Sequence, residues 1–245
     1  MIFERTELLL GKEKFSQLTR AHVAIIGLGG VGSYALETLA RSGIGALTLF
    51  DDDTVNESNI NRQLPALIST IGQSKVALLS ARALEINPSL SITSQQKLVH
   101  QENLHTTFAS PPDFIIDAID GLSCKLALID YAYTHSIPII SCMGAARRRD
   151  WRRITIDDLY NTKACPLAAR LRRECRKLGI GKGVNVVYSD EIPDKKSFGP
   201  AGPVSRGRSR VVNGSISYMT SITGITAAAF VIEQLLILGE KKQPC

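Results

Sequence analysis

Four glycines within six residues, Gly27, Gly29, Gly30 and Gly32, follow the apolar run Ala24-Ile25-Ile26 and precede a segment, Ser33 to Arg41, that reads as a helix. In such a turn Gly27 permits the sharp reversal and Gly29 and Gly30 let backbone N–H groups approach a phosphate. Gly32 lets the helix pack closely on its strand. The phosphate then lies at the positive end of the helix dipole. This is nucleotide-binding chemistry, and alone it fits a dinucleotide as well as ATP.

The residues that follow narrow the choice. Phe50-Asp51-Asp52-Asp53 closes the next apolar run, and a carboxylate about 20 residues past the glycine turn is placed to grip a ribose hydroxyl. Asp51 is the first choice because it directly ends the strand, with Asp53 in the same triplet; the alternative is an acidic turn capping the next element. A hydride-transfer protein would now enter a plain helix. This chain continues Asn56-Glu57-Ser58-Asn59-Ile60-Asn61-Arg62-Gln63 and reaches Gly72-Gln73-Ser74-Lys75. Asn59, Arg62 and Lys75 can converge on a triphosphate, Arg as a fork and Lys as a point charge; the alternative for Arg62 and Lys75 is an exposed charge on a helix. Ile115-Ile116-Asp117-Ala118-Ile119-Asp120-Gly121 ends a third apolar run in carboxylates, at the edge of a sheet where Mg²⁺ can be held.

Elements that would position these residues alternate along the chain. The periodicity predicts strands at His22 to Ile26, Ala46 to Phe50, Ser91 to Leu98, Phe114 to Ala118 and Ile137 to Ser141. Helices are predicted at Ser33 to Ser42, Ser74 to Ile86 and Leu122 to His135. This βαβ rhythm implies an α/β, Rossmann-like, mostly parallel twisted sheet flanked by helices, with a mixed-sheet C-terminal half. The chain divides as one ATP-binding domain: an N-terminal arm at 1–20, a nucleotide-binding half at 21–145, and a basic half at 146–245. The last half contains a Gly/Pro/Ser-rich stretch, Pro193 to Ser209, expected to be a mobile loop.

Val211 to Ile232 carries no charge and is long enough to cross a membrane. Asn213, Ser215, Ser217, Thr220, Ser221, Thr223 and Thr226 interrupt it, and Glu233 follows where a spanning helix would still lie in lipid. A strand or loop and then a buried helix from Ile222 to Leu238 is favoured over insertion. The five cysteines (Cys124, Cys142, Cys165, Cys175, Cys245) are an odd, scattered set without a C-x-x-C pair, pointing to a reducing cytoplasm and away from a disulfide framework or structural zinc. Met1 to Phe15 is charged throughout and does not read as a signal peptide.

Taken in order, Gly-x-Gly-Gly-x-Gly, strand-Asp-x-Asp, Ser-Asn-x-Asn-Arg-Gln, Gly-x-x-Lys and strand-Asp-x-x-Asp resemble the superfamily of ubiquitin-activating enzymes and the bacterial ThiF/MoeB-type adenylyltransferases of thiamine and molybdopterin synthesis. The likeness spans Arg5 to about Gly144. It implies activation of a carboxylate by Mg-ATP through an acyl-adenylate. By that resemblance Gly27, Gly29, Gly30 and Gly32 cradle the ATP phosphates and Asp51, with Asp53, lies at the ribose. Asn59, Arg62 and Lys75 bind the phosphates and stabilise the transition state, Gln63 belongs to the same cofactor site, and Asp120, beside Gly121, holds Mg²⁺. Arg5 resembles the N-terminal arginine that family members insert into a partner subunit's ATP site, which implies a homodimer; Thr6 stands where the family usually has Gln.

Between Arg147 and Lys177 stand eleven basic and four acidic residues, a local charge of +7 against +6 for the whole chain. Lys182, Lys195, Lys196, Arg206, Arg208 and Arg210 extend the basic character. A polyphosphate backbone needs such clustering; the alternative is a solvated helix face, since Leu167, Leu171, Cys175 and Leu178 fit one apolar side. Asp158-Leu159 and Pro166-Leu167-Ala168-Ala169-Arg170-Leu171 resemble the tRNA threonylcarbamoyladenosine dehydratases of that superfamily. The chain departs from them at Cys142-Met143-Gly144-Ala145-Ala146, where a more glycine-rich turn is expected.

The resemblance implies that the threonine carboxylate of the modified nucleoside, in the anticodon region of tRNA, is adenylated with release of pyrophosphate. The neighbouring carbamoyl group then closes on it and AMP leaves. An intramolecular attacker has high effective molarity, so no cysteine thioester is required; Cys165 is the thiol to test. An adenylyltransferase for a ubiquitin-like sulfur carrier and a non-catalytic RNA-binding or redox-sensing module remain as alternatives. A sulfur-relay protein is a candidate partner.

Overall fold

The computed structural model describes residues 2–108, 110–201 and 211–241. The N-terminal arm forms two short helices, α1 (Glu4–Leu10) and α2 (Lys12–Leu18), before β1 (His22–Ile26), α3 (Gly32–Ser42) and β2 (Ala46–Phe50). Then come α4 (Lys75–Ile86), β3 (Ser91–Gln95), the single turn α5 (Leu104–Thr107), β4 (Phe114–Asp117), α6 (Leu122–Thr134) and β5 (Ile139–Cys142). The basic half supplies β6 (Ile154–Asp158), α7 (Pro166–Lys177), β7 (Asn185–Ser189), β8 (Phe198–Ala201), β9 (Val211–Asn213) and the long α8 (Ser217–Lys241).

Seven strands form one sheet in the order β3-β2-β1-β4-β5-β7-β6. All neighbours are parallel except β6, which runs antiparallel to β7. The expected Rossmann-like sheet with a mixed C-terminal end is therefore present. Side chains alternate across each strand, so β1 feeds two cores. Val23 and Ile25 face α3, α4 and α8 with Leu36, Leu39, Leu79, Ala228 and Val231. Ala24 and Ile26 face α6 and α7 with Leu128, Ile129, Ala168 and Leu171. The strand order reverses between β1 and β4, so the turns after these two strands open beside each other at the carboxyl edge of the sheet.

Several boundaries differ from the sequence reading. The third strand ends at Gln95 rather than Leu98; at the sheet edge, beyond Gln95, no neighbouring strand continues the ladder. The final helix begins at Ser217, five residues before Ile222, and runs to Lys241. It lies along α3, β4, β5 and β7, with Ala227, Ala228, Val231 and Leu235 in the core. Gly224 permits that approach, because a Cβ there would stand 2.2 Å from the Val31 carbonyl oxygen. Residues 217–237 meet the length and apolarity needed to cross a membrane, yet one side of the helix closes the core. Part of the expected mobile loop is instead a β8–β9 ribbon, with Phe198 opposite Asn213. Residues 202–209 of that loop, the basic residues Arg206, Arg208 and Arg210, and Cys245 lie outside the described residues.

Candidate active site

The glycine turn is held between neighbouring loops. Gly27 has φ +91°, and a Cβ on it would stand 2.7 Å from the Ala118 carbonyl oxygen, so the turns after β1 and β4 touch. A Cβ on Gly32 would overlap the Gly27 carbonyl oxygen at 1.8 Å. Only glycine closes this strand-to-helix corner, as the spacing of the motif implies.

Asp51 supports the same corner. Its Oδ2 accepts from the Leu28 N–H at 2.5 Å and its Oδ1 from the Asp53 N–H at 2.9 Å. Burial pushes its carboxyl above the ordinary carboxylate range, against the attraction of Lys75 and the two N–H donors. The residue expected at the ribose thus also fixes the mouth of the glycine turn. Lys75 is buried, 2% exposed, with its Nζ 2.8 Å from Asp53 Oδ2. The exposed-charge alternative fails for Lys75.

The crossover after β2 brings the remaining residues over the turn. Asn59 closes a 3₁₀ turn: its Oδ1 accepts from the Asn56 N–H at 3.1 Å while Asn56 Oδ1 accepts from the Ser58 N–H at 3.0 Å. One end of the Asn59 amide is therefore committed to shaping this segment. Arg62 donates to the Ser58 carbonyl at 2.8 Å and to Asn61 Oδ1 at 2.9 Å. Burial pulls the Arg62 guanidinium below its ordinary range, and the facing Asp120 carboxylate opposes that pull. Arg62 and Asp120, 58 positions apart in the chain, are thus neighbours across the cleft.

Two observations test whether a nucleotide fits. A Cβ on Gly30 would lie 3.1 Å from both the Arg62 carbonyl oxygen and Thr220 Oγ1, so the bare glycine lets the Arg62 segment and α8 close up against the glycine turn. Beside Gly29, the buried Gln63 side chain has an Oε1 without a hydrogen-bond partner. A buried amide atom left unmatched is costly, about 1–3 kcal/mol, and marks a place where a polar ligand completes the site. The donor set of backbone N–H groups, Arg62 and Lys75 suits phosphates. For a cation, Asp51, Asp52 and Asp53 present oxygens within 4.8 Å of one another. Asp120, the expected Mg²⁺ holder, lies outside that cluster and faces Arg62.

Below the cleft lies an ion pair that the sequence reading did not assign. Asp117, the last residue of β4, and Lys125 on α6 are fully buried, with Nζ 2.8 Å from Oδ2. Lys125 also donates to Ser141 Oγ at 3.2 Å and to the Cys142 carbonyl at 3.0 Å, while Ser141 Oγ donates to Asp117 Oδ2 at 2.6 Å. The Ile119 N–H donates to Asp117 Oδ1 at 3.1 Å. The group ties together the carboxyl ends of β4 and β5 and the loop bearing Asp120 and Gly121. Thr220, packed against Gly30, was also missed; it comes from α8, and nothing local in the sequence signals the approach.

Arg5 is not brought to this site. Its helix α1 packs with the arm at the far end of α3, where a Cβ on Gly43 would meet Phe15 at 2.7 Å and Phe3 at 3.5 Å. Eleven helical residues, roughly 16 Å, separate that end from the glycine turn. The thiols are not activated either: burial pushes Cys142 up to about 12 and Cys175 to about 11, and raises Cys124. Cys165 is buried at the amino end of α7 beside Arg148.

In the basic half, several cations are committed internally. Arg148 is 5% exposed and donates to the Gly144, Ala146 and Glu191 carbonyls. Arg172 donates to Leu159 and to Thr162 through both its carbonyl and hydroxyl, so it braces the start of α7. Arg152 pairs with Asp150, and Arg153 with Asp190. The apolar side of α7 is Ala168, Leu171 and Cys175; Leu178, expected on it, is half exposed beyond the helix end.

Known proteins resemble this chain along most of its length. The ThiF family model matches residues 3–244. The tRNA threonylcarbamoyladenosine dehydratase of Bacillus subtilis is 39% identical over 240 residues, covering 96% of this chain and 94% of that protein. The crystal structure of Escherichia coli tRNA N6-threonylcarbamoyladenosine dehydratase in complex with ATP superposes with a TM-score of 0.89 at 31% identity, covering 98% of this chain and 96% of that one. The molybdopterin-synthase adenylyltransferase of Salmonella typhimurium is 36% identical over 148 residues, 60% of this chain and 58% of that protein. Matched along nearly its whole length, the chain belongs to the ThiF family.

Proposed function

We propose that this chain is an ATP-dependent tRNA threonylcarbamoyladenosine dehydratase that activates the threonine carboxylate as an acyl-adenylate, with release of AMP and pyrophosphate. The observation that carries this reading is the end-to-end likeness to a dehydratase, including the basic half, where the carrier adenylyltransferase match covers only 60% of the chain. The glycine turn and the amino end of α3 hold the phosphates, with the Gln63 side-chain N–H, beside Gly29, donating to them. Asp51, which positions Leu28, lies at the ribose with Asp53. Asn59, Arg62 and Lys75 face the phosphates, and Arg62 and Lys75 meet the negative charge that grows at the α-phosphate as the carboxylate attacks.

Asp120 would hold Mg²⁺ together with phosphate oxygens, a single-carboxylate arrangement usual for this ion, which neutralises phosphate charge. Gly121 follows at the start of α6. Because the carbamoyl group is tethered beside the activated carboxylate, closure needs orientation and exclusion of water rather than a protein nucleophile; the inert Cys142 and Cys175 thiols agree. Arg5, far from its own site, would act in the site of a second copy, making the working form a homodimer in the cytoplasm. Residues 1–20 form the arm, 21–145 the nucleotide half, and 146–245 the tRNA-facing half of one domain.

With Mg-ATP and tRNA carrying the threonylcarbamoyl group, AMP and pyrophosphate should form one for one with that tRNA. Formation of AMP with a ubiquitin-like carrier protein but not with this tRNA would overturn the reading in favour of carrier adenylation.

A further inference from the structure

We infer that the outer face of α7, carrying Arg170, Arg173 and Lys177, is a docking ridge for the phosphate backbone of RNA; this rests on the proposed tRNA substrate and locates where on the protein the backbone lies. The buried side of α7 is Ala168, Leu171 and Cys175, so residues 170, 173 and 177, at spacings of three and four, line up on the opposite, solvent-facing side. Arg170 is exposed and makes no ion pair among the described residues. Arg173 and Lys177 are 66% and 63% exposed at their side chains and share a single partner, Glu174. Three cations thus stand against one carboxylate on one helix face.

The ridge is placed to serve the cleft. Arg148, which bonds the turn after β5 at Gly144 and Ala146, borders Cys165, so α7 starts at the carboxyl edge of the sheet and points away from it. Arg170 to Lys177 spans roughly 10 Å along the axis, enough to face about three successive phosphates of one strand. Arg148, Arg152, Arg153 and Arg172, by contrast, are held by protein acceptors, whereas this face keeps surplus positive charge. The contact reads backbone charge and carries no sequence information.

The test uses the full chain with threonylcarbamoyl-bearing tRNA across a salt series. Arg170→Gln, Arg173→Gln and Lys177→Gln together should flatten the slope of log affinity against log salt by about 2 units, since each phosphate contact contributes about 0.7–0.9. Lys12→Gln with Arg20→Gln, at the amino edge of the sheet, should leave the slope unchanged. Glu174→Gln should tighten binding at low salt, whereas a purely structural ridge would lose stability without gaining affinity. An unchanged slope in the triple variant, or loss of binding to polyglutamate with tRNA binding kept, overturns the ridge. Dehydration is followed in parallel: a wild-type chain that fails to dehydrate the nucleoside defeats the proposed function, and one that succeeds while the triple variant keeps its slope defeats only the ridge.

Discussion

Lys125→Met should destabilise the chain by about 3–5 kcal/mol, the cost of leaving the fully buried Asp117 without its cation. That is a large part of the roughly 5–15 kcal/mol that separates folded from unfolded domains. Methionine keeps the unbranched shape of the side chain to within its terminal atom, so the loss comes mainly from charge and hydrogen bonding rather than from a cavity. Four acceptors lose a donor at once: Asp117 Oδ2, the Asp117 carbonyl, Ser141 Oγ and the Cys142 carbonyl. Urea unfolding should show a lower midpoint with the same dependence on denaturant. Asp117→Asn in the Lys125→Met background should recover part of the loss, because the uncompensated charge disappears. Full additivity of the two changes would show that the pair is not coupled. Since Asp117 also anchors the Ile119 N–H, activity should fall beyond what the folded fraction explains.

Arg62→Ala should lower AMP formation by about two to three orders of magnitude, the usual scale for removing one preorganised charge donor from a transition state. The Arg62 guanidinium is fixed by the Ser58 carbonyl and Asn61 Oδ1 and is partly desolvated, so it approaches reacting phosphates with little reorganisation. Arg62→Lys should recover little, because an ammonium cannot occupy both acceptors and face the phosphates as a fork does. Asp120→Asn, across the cleft, should produce a comparable loss. Both variants should keep tRNA affinity within a few-fold, measured by filter binding or anisotropy. Equal loss of binding and catalysis would mean that Arg62 supports the fold and not the chemistry.

What could be read from the sequence was local in origin. The glycine corner, the Asp51 position, and the Asn59, Arg62 and Lys75 series are carried by short spacings that bind directly to backbone geometry. The strands they follow are nearly continuous apolar runs, interrupted in β2 only by Thr48, as expected for a parallel sheet covered on both sides. The structure added what depends on distant pairing. Lys125 read as one polar residue in a helix, and only the placement of β4 beside β5 turns it into a buried anchor. Arg172 looked equivalent to Arg173, but its guanidinium turns inward to Thr162, a choice set by the rotation of α7 on its core. Leu178 failed as a core residue because the helix ends at Lys177 before its face comes round. Thr220 packs against Gly30 from the opposite end of the chain. Arg5 matched a family position, and the fold puts it too far from its own cleft to act there.

The proposed reaction dehydrates a modified nucleoside of tRNA in this cleft at the expense of ATP. Mass spectrometry of nucleosides from threonylcarbamoyl-bearing tRNA, incubated with the full chain and Mg-ATP, tests it most directly. Loss of one water from threonylcarbamoyladenosine, dependent on ATP and absent with Arg62→Ala, is the predicted result. An unchanged nucleoside mass with fully modified tRNA and active, ATP-binding protein would contradict it.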